Sequence, residues 1–166
     1  MKIVIIGAGE VGFHVAKSLS ELDYDISVID IDHKKCSRAN EHLDVIVNQG
    51  NGSDEKLLKN INVADADYVF CLTNSDETNL ISSLQCHNLG AKKIIARLRD
   101  LDYSRNGNAI PPEKFGVDVV IHPEKAACEE IIRLVKHPYA VQAMDFEAGR
   151  LKMLGIHING DSRRII

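Results

Sequence analysis

Apolar residues fall along the chain in short unbroken runs separated by amphipathic stretches. The runs are Lys2–Ile6, Asp25–Ile29, Asp44–Val47, Tyr68–Leu72, Lys93–Ala96 and Val117–Ile121. Several read as continuous Val, Ile and Leu rather than as alternation, the pattern of strands buried on both faces. Between them lie helix candidates. Val11–Leu22 sets Val11, Val15, Leu19 and Leu22 near one face, and Lys34–His42 and Asp54–Lys59 follow the second and third runs. Glu77–Leu89 carries Leu80, Ile81, Leu84 and Leu89, and Glu124–Val135 carries Ala127, Ile131, Leu134 and Val135. Strand and helix in alternation predict an α/β fold: a doubly wound parallel sheet of about six strands, with helices on both faces and right-handed crossovers.

The rhythm breaks twice. Arg99–Gly116 holds Asn106-Gly107-Asn108 and Pro111-Pro112 and reads as a loop. His137-Pro138 then stops the last long helix. Beyond it, Asp145-Phe146 and Gly149 read as a turn, Arg150–Ile158 as a strand and Asn159-Gly160-Asp161 as another turn. One or two strands cannot bury a core alone. The expected organisation is therefore a lobe over residues 1–138 and the incomplete beginning of a second over 139–166.

The sharpest chemical signal is Gly7-Ala8-Gly9-Glu10-Val11-Gly12, which follows an apolar run and opens an amphipathic helix. That context is what the Rossmann dinucleotide fingerprint requires. Gly7 allows the tight turn, Gly9 the approach of a pyrophosphate and Gly12 close helix packing. Unpaired N–H groups at the helix start face the phosphates. Asp30 ends the second run at the spacing expected for a ribose-binding carboxylate, and Asp32 is its nearby competitor. A carboxylate there favours NAD(H), or an adenine nucleotide with a free 2′-hydroxyl, over a 2′-phosphorylated one. Lys34 and Lys35 read as a solvated helix face, or as charges that soften the exclusion of a 2′-phosphate.

Other run ends point to the same crevice. Gln49-Gly50-Asn51-Gly52-Ser53 is either a plain turn or a loop whose Asn51 reads an adenine edge. Thr73 and Asn74 lie where a nucleotide would pass, upstream of Ser75 and Asp76, which suit a helix cap. Arg97 would pair with a phosphate, a carboxylate or a structural acid. Glu124 would cap the last helix or touch a ligand.

Composition narrows the function classes. A net charge of −4 and 5% aromatic residues disfavour nucleic-acid binding. No run approaches the roughly 20 apolar residues of a membrane span, so direct membrane insertion is not expected. Cys36, Cys71, Cys86 and Cys128 are too scattered for a zinc site and read as buried hydrophobes of a reducing, cytoplasmic compartment. The seven histidines form no metal-ligand pattern, and no nucleophile or paired-carboxylate motif accompanies the glycines, so neither a bound metal nor an enzyme is expected.

Together, Lys2–Gly12, Val28-Ile29-Asp30, Gln49–Gly52, Leu72–Asn79, Ile95-Ala96-Arg97 and His122-Pro123-Glu124 resemble the KTN/RCK regulatory domains of potassium channels and transporters. The resemblance covers about residues 1–138 and weakens towards 166. It implies that Gly7, Ala8, Gly9, Glu10 and Val11 wrap a pyrophosphate and that Asp30 holds the adenosine ribose. Thr73, Asn74 and Arg97 would line the rest of the path. Many relatives carry aspartate where this chain has Asn51, which leaves a neutral adenine contact. The implied cofactor is NAD(H), with ATP or ADP as the alternative. The implied partners are a Trk-type membrane potassium transporter and further copies of the chain, in a dimer or tetrameric ring. The chain would be a fragment of a longer protein, held at the inner face of the membrane through its transporter.

Overall fold

A computed structural model describes residues 1–100, 103, 111–136, 140–146 and 151–156, the last two stretches by their backbone. The turn signals at Asn106–Asn108 and Asn159–Asp161 and the helix stop at His137-Pro138 lie outside the described residues. By its internal contacts the chain divides into two units, Met1–His122 and Pro123–Ile166.

Among the described residues, the first unit holds six parallel strands: β1 (Lys2–Ile6), β2 (Asp25–Asp30), β3 (Ile46–Gln49), β4 (Tyr68–Cys71), β5 (Ile94–Arg97) and β6 (Val119–Ile121). Their order is β3-β2-β1-β4-β5-β6, the doubly wound arrangement, and the direction of winding reverses between β1 and β4. Helices α1 (Glu10–Ser20), α2 (His33–His42), α3 (Glu55–Asn60) and α4 (Asp76–Leu89) make the crossovers, and short 3₁₀ turns lie at Val63–Asp65 and Pro112–Phe115.

β1 is central and buried on both sides. Val4 and Ile6 join Leu58, Val69, Leu80 and Ile94 in one core, while Ile3 and Ile5 join Ala16, Ile26 and Val28 in the other. Both faces being apolar explains why this strand reads as an unbroken run. β3 sits two residues later than Asp44–Val47. It is an edge strand, with Ile46 59% exposed, and its register follows β2, which pairs Ile29 with Asn48 and Asp30 with Gln49. Pairing, not apolarity, sets where it ends.

The second unit opens with α5 (Pro123–Lys136), in which proline takes the first helical position and Glu124 lies in the first turn rather than at the cap. This helix groups with the later unit, whereas the boundary expected from sequence lies at Pro138. Two antiparallel strands follow, β7 (Ala140–Phe146) and β8 (Leu151–Ile156). Only β8 is anticipated by sequence. Ala140 and Ala143 weaken the strand signal of β7, and pairing with β8 supplies what propensity lacks. Cys36, Cys71 and Cys86 are buried as expected, whereas Cys128 on α5 is exposed.

Candidate functional site

The carboxyl ends of β1, β2, β4 and β5 converge on one cleft of about 460 Å³. The sequence between β1 and α1 builds its floor. Gly7 takes φ +105°, and a Cβ there would lie 2.8 Å from the Thr73 amide nitrogen, so only glycine fits. At Gly12 a Cβ would fall 1.8 Å from the Gly7 carbonyl oxygen. Gly12 thus lets α1 begin directly beneath the turn. Gly9 differs, since nothing lies within 4 Å of a Cβ built there. Its open side belongs to the cleft.

Gly9 is also the N-cap of α1 and offers no side chain to the first-turn N–H groups. The three crossover helices that follow are closed by side chains: Asp32 accepts from the Lys34 amide, Asp54 from Lys56 and Ser75 from Thr78. α1 therefore presents uncapped donors and the positive end of its dipole to the cleft.

Asp30 faces that helix start from the end of β2 and is 8% exposed. Its Oδ2 accepts from the Ala8 amide at 2.7 Å and its Oδ1 from the Asp32 amide at 2.8 Å. Each oxygen keeps a further lone pair for a ligand hydroxyl. The bond to Ala8 was not legible in the spacing: Asp30 braces the glycine turn as well as facing the cleft. Asp32, the competitor, caps α2 instead. Lys35 corrects the expectation of a merely solvated face, because it lines the cleft with its Nζ 3.9 Å from Asp30 Oδ2.

Of the sequence candidates, Gly7, Gly9, Glu10, Val11, Asp30, Asn51, Thr73, Asn74 and Arg97 line the cleft. Ala8 and Gly12 do not. Ala8 is buried with its amide turned to Asp30, and Gly12 lies under the turn. Asn51 turns its Oδ1 to the Ser53 amide and hydroxyl, so only its amide NH₂ remains to address a base. Gly50, Gly52, Ile31 and Thr78 complete much of the wall. Ile31 is 71% exposed, a large apolar side chain at the mouth that no periodicity would single out.

Glu10 brings a negative charge to the same wall. Arg38 answers it at 2.8 Å and lies 4.0 Å over the Phe13 ring. The Arg38 hydrogen bond and charge hold the Glu10 carboxyl below the usual carboxylate range. Burial pushes the Cys71 thiol up to about 12, and Cys36 and Cys86 are raised by burial too, so none supplies a thiolate to the cleft. Among the described residues no group of histidine, cysteine or carboxylate side chains suits a metal ion.

Residues 3–123 match the family model of the TrkA-N domain. The chain belongs to the TrkA-N family. The resemblance to potassium-transport regulatory domains is thereby borne out. Similar TrkA-N relatives include the Trk system potassium uptake protein TrkA homolog of Archaeoglobus fulgidus, 34% identical over 98% of this chain and 37% of the relative. The Trk system potassium uptake protein TrkA of Halomonas elongata is 34% identical over 94% of this chain and 34% of its own length. The chain thus spans about a third of the curated relatives it matches. Among solved structures, the TrkA-N domain of inner membrane protein ybaL from Escherichia coli shares the fold. Its TM-score is 0.69 at 18% identity, covering 81% of this chain and 96% of that one. The GsuK channel bound to NAD matches with a TM-score of 0.62 at 19% identity, covering 86% of this chain and 24% of that one. GsuK bound to ADP gives 0.62 at 20%, covering 73% and 31%.

Proposed function

We propose that this TrkA-N chain is the nucleotide-sensing part of a regulatory subunit of potassium uptake, and that its cleft binds NAD(H). The observation that carries the reading is the start of α1. It is glycine-capped, has no side chain on its donors and opens into the cleft opposite the Asp30 carboxylate. The pyrophosphate rests on the first-turn N–H groups, and the adenosine ribose donates its hydroxyls to the remaining lone pairs of Asp30. Ile31 and the Gly50–Gly52 turn flank the adenine, with the Asn51 NH₂ at its edge. Thr73, Asn74 and Arg97 receive the nicotinamide half.

The role is regulatory rather than catalytic. The relatives are named for potassium uptake, and the fold neighbour GsuK is a channel. A nucleotide then acts by differing in affinity for two states of the assembled protein, which need be only a dimer or tetrameric ring at the cytoplasmic face of a Trk-type transporter. ADP or ATP is the second reading. GsuK is found with ADP as well as NAD, and Asp30 suits any unphosphorylated ribose.

Rubidium uptake by cells expressing the subunit and its transporter tests the role. Asp30→Ala should abolish the response of uptake to the NADH/NAD⁺ ratio while transporter levels stay unchanged. An undiminished response would contradict it.

A further inference from the structure

Asn79 lies in the second turn of α4 and is completely buried. Its Oδ1 accepts from the Thr73 amide at 2.9 Å and the Thr73 hydroxyl at 2.7 Å. Its Nδ2 donates to the Thr73 carbonyl at 3.2 Å and the Arg97 carbonyl at 2.8 Å. These four bonds fill the capacity of the amide. All of them go to two residues that line the cleft.

One side chain thereby ties the exit of β4 to the exit of β5. Those exits carry Thr73, Asn74 and Arg97. The opposite wall of the cleft, with Asp30 and the Gly50–Gly52 turn, is built on β2 and β3 and shares none of these bonds. A dinucleotide laid across the switch point between β1 and β4 places its adenosine half over β2 and β3 and its other half over β4 and β5. An adenine mononucleotide needs only the first half and the start of α1.

We infer that Asn79 is the positioning residue of the second half of the cleft, and that it sets the preference for a dinucleotide over an adenine mononucleotide. The inference rests on the nucleotide reading above. Asn79 touches no ligand. It acts by holding the Thr73 backbone and the Arg97 carbonyl where the nicotinamide half arrives. Asp76 braces the same region independently, accepting the Arg99 and Asp100 amides at 2.9 Å.

NADH and ADP titrated into the 166-residue chain and into Asn79→Asp test this. The substitution keeps the acceptor towards Thr73 and, as a carboxylate, makes neither donation; protonated, it makes at most one. NADH affinity should fall about tenfold, the size expected for lost hydrogen bonds to the wall, with ADP affinity held within about twofold. Retained ADP binding also reports that the variant is folded. Parallel loss of both nucleotides, or no change in either, would overturn the inference. A measurement without substitution stands beside it. NADH should shift the NMR signals of the Asn79 side-chain amide and ADP should leave them in place, whereas equal shifts would overturn it. Failure of the unmodified chain to bind NADH would bring down the NAD(H) reading and this inference together, and is read before any variant is compared.

Discussion

Two glycines of one motif do different jobs, and the difference is measurable. A methyl group at Gly12 meets the Gly7 carbonyl at 1.8 Å, while one at Gly9 meets nothing within 4 Å. Gly12→Ala should therefore lower stability by about 1–3 kcal/mol, as overpacking does. Gly9→Ala should shift stability by less than about 1 kcal/mol yet abolish NADH binding, because its methyl fills the space the pyrophosphate needs. Thermal melting with calorimetric titration separates the two, and equal destabilisation would contradict the distinction. Arg38 permits a second check. Its bond keeps the Glu10 carboxyl below the ordinary range, so the pair's stabilisation is present above about pH 4.3 and is lost as pH falls through the lowered native value. In Arg38→Ala the Glu10 carboxyl should titrate in the ordinary range by NMR, and NADH should bind more weakly because an unanswered charge faces its phosphates. An unmoved titration would refute the pairing. At this scale the sequence was partly legible. The glycine spacing and Asp30 were visible, because the chain must turn there and end a strand there. The Ala8–Asp30 bond, Lys35 and Asn79 were not, since each depends on a contact across elements.

Helix starts decide where the cleft can hold an anion. α2, α3 and α4 each carry a side-chain cap, and α1 does not. At α4, Ser75 accepts from the Thr78 amide, while Asp76 reaches the amides after β5. Ser75→Ala should cost about 1 kcal/mol, the usual worth of an N-cap. Asp76→Ala should cost more, about 2 kcal/mol, because its carboxylate accepts two backbone amides. Denaturant unfolding of both variants checks the order, and a costlier Ser75→Ala would reverse the assignment. The sequence places both residues near a cap but does not divide their roles, since only the fold brings Arg99 and Asp100 to α4. The central strands were legible because both faces are apolar. β7 was not, because its alanines carry little strand preference without the partner strand.

At the scale of the molecule, the order β3-β2-β1-β4-β5-β6 places the strand ends so that one cleft spans the switch point. No helix among the described residues is long and apolar enough to cross a membrane. The alternation of runs and helices conveyed this winding before any contact was known, because parallel strands need crossovers. It did not convey that α5 would group with the hairpin of β7 and β8, which is a matter of contacts. The proposed role stands on NAD(H) binding in the cleft through the start of α1 and Asp30. Isothermal titration of NADH into the unmodified chain and into Asp30→Ala tests that binding. Saturable one-site binding that weakens at least about tenfold in the variant is the predicted result, in keeping with lost charge-assisted hydrogen bonds. Binding of equal strength in both proteins, or heats from ADP alone, would contradict it.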